Sequence, residues 1–286
     1  MFKKGVILTL FLIFGDLDAS TIRLNFIKII EYNFSHPTDI VGDGSGKIYV
    51  LDGVNNRIVQ ISLNDGPKEI VLKDDSINLA VGIDYNDGIW VADTPRNRLV
   101  KINEVAQIET EIILDKSARP LDISFINNSI YFSDRHSHNI GVVDIKSLSI
   151  EYLGSKGDEL GEFTFPGPLF KYNESVLLIS DIYNGRIIGM KNDHRLFFKI
   201  ASFGTDLGYV YRPKGISVDS KNRIWVADGF TGVIQAFSHD GNFLGVGVEN
   251  TKKIQLNTPT GIWIDQDDYL WVVESMVNRV SIWQIK

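Results

Sequence analysis

Acidic residues end a hydrophobic run at six places in this chain, and a carboxylate so placed could serve as a general acid, a general base or a metal ligand. Catalysis needs such a group once, whereas six at one position of a repeat indicate a structural role. An Asp at a strand end can accept turn N–H groups, and an Arg five residues later can pair with it. The six acids recur at intervals of 41, 41, 47, 47 and 46 residues and are Asp52, Asp93, Asp134, Asp181, Asp228 and Glu274.

The histidines offer a second chemistry. We expect His36, His136 and His138 on loops of one face, where three imidazoles could begin a zinc site. Zinc ligands need rigid support from second hydrogen-bond partners, and histidine is common on exposed loops, so the spacing alone favours no metal. The chain has no Cys, which removes disulfides, thiolate metal sites and Cys nucleophiles.

A glycine-rich stretch, GDGSGK at 42–47, resembles a phosphate-binding loop. It lacks the four-residue spacer, Ile48 replaces the required Ser or Thr, and no helix follows, so we interpret it as a turn. The same turn and DQDDY at 265–269 lack the twelve-residue ligand pattern of a calcium loop. From motifs alone we therefore predict no catalytic residue, no metal and no cofactor.

The elements that carry these residues form an internal repeat. RPKGISVDSKNRIWVAD at 212–228 opens with Pro, alternates apolar and polar residues, turns, and runs through an apolar strand to the acid. A period of 40 to 50 residues with short strands is typical of a β-propeller. We predict an all-β, six-bladed propeller of four-stranded antiparallel blades. The six copies lie at 36–61, 79–102, 119–143, 165–190, 212–237 and 258–283.

Both ends of the chain differ from the repeat. Lys3 and Lys4 precede an apolar run at 5–15, and Ala19 stands at an imperfect cleavage site, so we predict a signal peptide at 1–19 before a propeller domain at 20–286. The protein would then be exported to the periplasm or outside the cell, with an uncleaved membrane anchor as the alternative. The last copy stops after its third strand, and we expect residues 21–33 to supply the fourth and close the ring.

The repeat resembles that of the NHL family of β-propellers. The matching signature is Pro-x-Gly/Asp-Ile, a hydrophobic pair, Val-x-Asp and then Asn-x-Arg-Ile, with a glycine-spaced lead-in, GSKGDELGEFTFP, at 154–166. The resemblance covers about residues 21 to 286. It implies the propeller fold, but the family includes scaffolds, extracellular sensor domains, RNA binders and a few enzymes.

The enzymes of this family suggest where to look for a metal. In the peptidyl-hydroxyglycine lyases three His that follow strand-opening prolines bind zinc, and gluconolactonase-like propellers hold calcium with carboxylate and Asn ligands. Here no His occupies those positions, and the sequence identifies no converging carboxylate and Asn set. The six positions carry Thr38, Val81, Leu121, Gly167, Lys214 and Thr260.

One face of the predicted ring carries basic and aromatic residues on a chain whose net charge is −7. We expect His36, Arg119 and Arg212, each just before a first strand, to project towards the channel mouth and meet an acidic or carboxylate-bearing partner. The negative charge argues against nucleic acid as the partner. The predicted ligand-binding residues are His36, Arg119, Arg212, Arg135, His136, Tyr183, Tyr211 and Phe230.

The main functional prediction from the sequence is a non-enzymatic exported propeller that binds a protein, peptide or glycan through this face. We expect it to be a monomer that does not insert into a membrane once the signal is removed. The alternative is a propeller hydrolase or lyase, lactonase-like or hydroxyglycine-lyase-like, with a metal at the channel mouth.

Overall fold

The structure is a computed structural model that describes residues 20–71, 77, 79–103, 105–191, 193–194 and 197–286. The predicted signal peptide at 1–19 lies outside the described residues. Within them the fold is all-β, with short 3-10 turns. No helix in this part of the chain is long and apolar enough to cross a membrane.

The strands follow the repeat. Unit 1 contains β2 (Asp39–Gly42), β3 (Ile48–Asp52), β4 (Arg57–Ile61) and β5 (Lys68–Val71), and unit 2 contains β6 (Gly82–Tyr85), β7 (Ile89–Asp93), β8 (Arg98–Ile102) and β9 (Ile108–Ile113). Unit 3 contains β10 (Pro120–Ile126), β11 (Ser129–Asp134), β12 (Asn139–Asp144) and β13 (Ile150–Leu153). Unit 4 contains β16 (Pro166–Asn173), β17 (Val176–Asp181), β18 (Arg186–Lys191) and β19 (Phe197–Phe203).

The remaining units complete the set. Unit 5 contains β21 (Pro213–Val218), β22 (Ile224–Asp228), β23 (Ile234–Phe237) and β24 (Phe243–Glu249), and unit 6 contains β26 (Pro259–Ile264), β27 (Tyr269–Glu274) and β28 (Arg279–Ile285). The other strands are β1 (Thr21–Glu31), β14 (Ser155–Lys156), β15 (Glu162–Phe163), β20 (Tyr209–Val210) and β25 (Lys252–Lys253). Among the residues that the structure describes, 3-10 helices cover Gly53–Asn55, Thr94–Arg96 and Ser275–Val277.

Each unit is an antiparallel meander. Units 1 to 4 form separate sheets, and units 5 and 6 belong to one nine-stranded sheet. The first strands of successive units contact one another, and β26 contacts β2, so they surround a central channel. This arrangement is propeller-like, as the repeat predicts.

The N-terminal strand joins units 5 and 6. Residues Leu24–Glu31 of β1 pair antiparallel with β28, which is the pairing that the sequence predicts. The preceding residues Thr21–Arg23 pair parallel with β24, a contact that the sequence does not predict. Both free edges are therefore covered by one strand, and such coverage removes templates for aggregation.

The core lies between the units. The residue three positions before each repeated acid is buried in all six units, and five of the six are aromatic. Trp225 of unit 5 packs with Ile262 of unit 6, and Trp271 of unit 6 packs with Val50 of unit 1. Each such side chain contributes roughly 1.5–3 kcal/mol by burial, and together they hold neighbouring sheets face to face.

Candidate functional site at the channel

The repeated acids are structural. Each is the last residue of the second strand of its unit and is at most 1% exposed. Asp181 accepts the backbone N–H of Thr164 at 2.7 Å and the Nδ2 of Asn184 at 2.7 Å. Asp228 accepts the backbone N–H groups of Phe230 and Thr231. The acids of units 1, 3, 4, 5 and 6 also accept an N–H from the segment that precedes the first strand, whereas Asp93 of unit 2 pairs with Arg96 and Arg98.

The Arg five residues after the acid pairs with it in four units. The distances from Nε to the carboxylate are 2.9, 2.7, 2.8 and 3.0 Å for Arg57, Arg98, Arg186 and Arg279. In units 3 and 5 the position carries Asn139 and Val233, and the acids there rely on backbone N–H donors. The expected turn and arginine contacts are thus present.

A cavity opens at the end of the channel where the loops after the second strands lie, and we call it the upper cavity. Its volume is about 390 Å³. Apolar side chains of the loops and first strands form much of its wall, including Val54, Val81, Leu121, Phe165 and Ile182. The ionisable residues that line it are His36, Arg135, Lys214, Asp39 and Asp122.

Among the predicted ligand-binding residues, His36 and Arg135 line the upper cavity. Arg119 is directed elsewhere, because its Nη1 donates to Asn97 Oδ1 at 2.6 Å and to the carbonyl of Ala118 at 2.7 Å. His136 is exposed, and its backbone N–H donates to Asp134. Position just before a first strand therefore does not suffice to place a side chain at the cavity.

The other predicted residues form a cluster beside the cavity. The Arg212 guanidinium lies 4.5 Å from the ring centroid of Tyr211 and 4.9 Å from that of Tyr183. Tyr211 in turn contacts Phe230 at 4.7 Å between centroids. The cluster meets the upper cavity through Phe165, whose ring stacks on Tyr183 at 4.7 Å. Arg212 is thus held by aromatic rings and does not line the cavity.

Two aspartates that the sequence did not single out form the floor of the upper cavity. Asp39 and Asp122 stand two residues after the strand-opening Pro in units 1 and 3. Both also line a second cavity of about 220 Å³ at the opposite end of the channel, which we call the lower cavity. The pair therefore separates the two cavities. Asp84 and Lys171 line only the lower one.

Backbone groups of the next unit fix both aspartates. Asp39 Oδ2 accepts the N–H of Ile83 at 3.1 Å, and Asp122 Oδ2 accepts the N–H of Leu169 at 2.7 Å. Asp122 is 6% exposed, and its Oδ1 is buried without a hydrogen-bond partner among the described residues. An unpaired buried carboxylate oxygen is costly if the group is ionised.

The pKa values of the three channel acids are all raised above the usual range of Asp. Burial raises the pKa of Asp39 to about 7, against opposing hydrogen bonds from the Ile83 and Ile40 N–H groups. Burial likewise raises the pKa of Asp84 to about 7. For Asp122, burial and then the nearby charge of Asp39 raise the pKa well above its usual range. Strongly shifted acids in a cavity are typical of functional sites.

Part of the signal for these residues was present in the repeat. At the position of Asp39 and Asp122, three other units carry Gly82, Gly215 and Gly261. Asp at this position agrees with the Pro-x-Gly/Asp signature, so the sequence pattern alone suggests a structural role for it. The contrast between the two aspartates and the three glycines at the equivalent position is the signal that marks them as different.

The donor set does not fit a metal centre. Among the described residues no group of three or more His, Asp and Glu side chains could hold a metal ion. His138, a member of the zinc set considered above, uses its Nδ1 to accept the N–H of Phe165 at 2.9 Å. The third residue of each copy of the repeat is the position where the lyases mentioned above carry their zinc-binding His. In the upper cavity that position supplies no His, and the residues there are Thr38, Val81, Leu121, Lys214 and Thr260.

No protein-family model matches the sequence, and no curated protein matches it. Solved structures do. A streptogramin B lyase is 15% identical with a TM-score of 0.66, over 91% of this chain and 98% of that one. A gluconolactonase from Xanthomonas campestris is 14% identical with a TM-score of 0.71, over 90% and 89%. The fold is propeller-like.

A third similar structure is a catalytically inactive histidine-to-alanine variant of virginiamycin B lyase from Staphylococcus aureus, with quinupristin. It is 17% identical with a TM-score of 0.64, and the match covers 89% of this chain and 84% of that one. These similarities support the resemblance drawn from the repeat at the level of the propeller-like fold.

The prediction of a non-enzymatic binding propeller is wrong as the main interpretation. The three solved structures described above are two lyases and a gluconolactonase, which agrees better with the enzyme alternative than with a non-enzymatic scaffold. The upper cavity agrees with this correction, because acid, base and cationic groups meet there.

Proposed function

We propose that this protein is a propeller enzyme, a lyase or hydrolase, that cleaves a carbon–oxygen bond of a substrate bound in the upper cavity. One observation carries the proposal: the cavity brings His36, Arg135 and Lys214 together above Asp39 and Asp122. Shape supports it as well, since a concave, mostly apolar pocket with a few polar groups is the usual form of a small-molecule site.

We further infer that the six units are the six blades of one ring. The contact of each first strand with the next, and of β26 with β2, supports this count. The spacing of the repeated acids supports it too. In such a ring the upper cavity is the mouth of the channel, and residues from different blades converge on one substrate.

The cations define the substrate class. Arg135 and Lys214 come from different units and both face the cavity, so a substrate with a carboxylate or a polarised carbonyl would be held between them. They would also stabilise the negative charge that develops on that oxygen when the neighbouring bond breaks. His36 can accept a proton from carbon in a lyase, or from water in a hydrolase. A lactone or cyclic ester meets these requirements.

The reaction as proposed uses only side chains of this chain. The upper cavity lacks a donor set for a metal ion among the described residues, so no step is assigned to one.

Turnover of cyclic esters tests the proposal. Purified protein would be incubated with glucono-δ-lactone, with simple γ- and δ-lactones and with quinupristin. Acid release followed by pH-stat reports hydrolysis, and a new alkene detected by mass and ultraviolet absorbance reports elimination. Replacing Arg135 with Ala should raise KM roughly tenfold to a hundredfold, since a hydrogen bond to a charged group contributes about 1.5–3 kcal/mol.

The matched control is Arg23→Ala, which removes an exposed Arg from the outer strand β1. It should leave KM unchanged. If Arg135→Ala and Arg23→Ala behave alike on a substrate that the wild type turns over, the upper cavity is not the site of reaction.

A further inference from the structure

We propose that Asp39 and Asp122 share one proton between them, and that Asp39 donates this proton to the leaving oxygen of the substrate in the upper cavity. This inference rests on the proposed function and names its general acid. The two carboxyl groups lie between the upper and lower cavities and line both of them.

The backbone brings the two carboxyl groups to one place. Asp39 Oδ2 is bound to the N–H of Ile83 at 3.1 Å. Asp122 Oδ1 lies against Gly82, the residue before Ile83, because a Cβ added to Gly82 would be only 2.3 Å from that oxygen. Gly82 and Ile83 are adjacent, so both carboxyl groups lie beside the start of β6. The absence of a side chain at Gly82 is what leaves space for the pair.

Asp122 adds an observation beyond the clustering of the acids, because its buried carboxyl group lines both cavities. Its carboxyl group is nine-tenths buried, and Oδ1 has no partner among the described residues. A carboxylate in that environment is unstable unless it carries or borders a proton. Asp39 is partly exposed and can reach the upper cavity, whereas Asp122 Oδ1 is enclosed. Asp39 is therefore the group that can touch substrate, and Asp122 is a positioning residue.

The fold does not require these acids. The equivalent position is glycine in units 2, 5 and 6, and those units form the same first strand. The task of accepting an N–H from the next unit can also be done by a hydroxyl, as Ser217 does for Ile264 at 3.0 Å. A neutral side chain would thus serve a purely structural purpose.

The charged groups around the pair come from both cavities. Below it, Asp84 and Lys171 line the lower cavity, and the charge of Asp84 raises the pKa of both Asp39 and Asp122. Above it, His36, Arg135 and Lys214 line the upper cavity. Burial, the first cause of the raised pKa values, acts on both aspartates and disfavours ionisation of the pair.

The chemistry balances with groups already present. In an elimination, His36 takes the proton from the carbon adjacent to the one that bears the leaving oxygen, the electron pair of that C–H bond becomes the new C=C bond, and the C–O bond breaks. The leaving oxygen takes the proton of Asp39, which becomes a carboxylate. In a hydrolysis, His36 takes the proton from water as its oxygen bonds to the carbonyl carbon, and the leaving oxygen again takes the proton of Asp39. Exchange with solvent then resets both residues.

Two variants and one control test the inference. Asp39→Asn should lower kcat by a factor of roughly 10² to 10⁴, the usual effect of losing a general acid, with little change in KM. Asp122→Asn should lower kcat less than Asp39→Asn, because Asp39 keeps the burial that is the first cause of its raised pKa and loses only its positioning neighbour. Asp267→Asn removes an exposed acid and should change neither.

A titration independent of turnover tests the shared proton. In protein labelled at the Asp carboxyl carbons, ¹³C NMR should show a carboxyl with a midpoint near neutrality in the wild type and in Asp267→Asn. In Asp39→Asn the midpoint of Asp122 should fall, because the charge of Asp39 raises the pKa of Asp122. If no Asp titrates above its usual range, or if Asp39→Asn keeps the wild-type kcat, the inference is overturned. A wild type that turns over no lactone or ester overturns the proposed function and the catalytic role of Asp39 with it, while the titration still decides whether the proton is shared.

Discussion

Two sets of buried acids in this propeller have opposite surroundings. Five of the six repeated acids at the ends of the second strands accept hydrogen bonds from backbone N–H groups, and four of the six pair with an Arg. The channel acids are not repeated in every unit: Asp39 and Asp122 share one position of the repeat, and Asp84 stands at another. Burial is the largest cause of the raised pKa of each of them. The repeated acids connect loops, whereas the channel acids face cavities.

The comparison separates acids that hold the fold from acids that can do chemistry. Glu274 illustrates the first kind: burial alone would raise its pKa, but hydrogen bonds from Arg279 and Asn257 outweigh it and lower the pKa. Asp181 lies between the two kinds, since burial raises its pKa despite bonds from Asn184, Thr164 and Arg186. Where hydrogen bonds from Arg and N–H donors outweigh burial, as at Glu274, they favour the ionised acid, and where burial outweighs them, as at the channel acids, the protonated form is favoured.

Removal of a repeated acid should have the largest effect. Asp181→Ala leaves the buried Arg186 without its carboxylate and should lower the free energy of unfolding by roughly 3–5 kcal/mol. Asp267→Ala, an exposed position, should stay within about 0.5 kcal/mol of the wild type. Urea denaturation measures both. A loss below about 1 kcal/mol for Asp181→Ala would show that the repeated acids are not the structural set.

The channel acids should make the free energy of unfolding depend on pH. Their pKa values are raised from 3.8 to about 7 for Asp39 and Asp84, so between these limits the folded state binds more protons than the unfolded state. Their contribution to stability is therefore present at low pH and is lost as pH rises from about 4 to about 7. The expected loss is on the order of a few kcal/mol.

The double variant Asp39→Asn/Asp84→Asn isolates this contribution. The difference in unfolding free energy between the variant and the wild type should grow in favour of the variant as pH rises from 4 to 8. A difference that is constant across this range would mean that the two acids have ordinary pKa values.

A glycine exchange gives the smallest expected effect on stability and tests the geometry of the pair. In Gly82→Ala the new Cβ would be 2.3 Å from Asp122 Oδ1 and 2.5 Å from the Leu121 carbonyl oxygen, so backbone must shift. We expect a loss of about 1–3 kcal/mol by overpacking, measured as a lower melting temperature. Gly66→Ala, where no atom lies within 4 Å, should be close to neutral. Equal behaviour of the two variants would contradict the close approach at the channel floor.

The sequence by itself determined the strands, the repeat and the structural role of its acids, because these depend on local order. Alternation, turn residues and the acid–Arg spacing all lie within one copy of the repeat. The role of the N-terminal strand follows from the fourth strand that the last copy lacks. The aromatic layer before the acids is likewise a local signal with a local cause.

Only the tertiary structure decided which residues meet at the channel. Asp39 and Asp122 are 83 residues apart, and Lys214 comes from a third unit, so no spacing in the chain reports their proximity. Arg119 and Arg212 hold positions equivalent to His36 yet turn to Asn97 and to tyrosine rings, because nearby acceptors and aromatic faces capture a long cationic side chain. The direction of each side chain, and the burial that keeps a proton on the channel acids, arise only when the blades pack around a common axis.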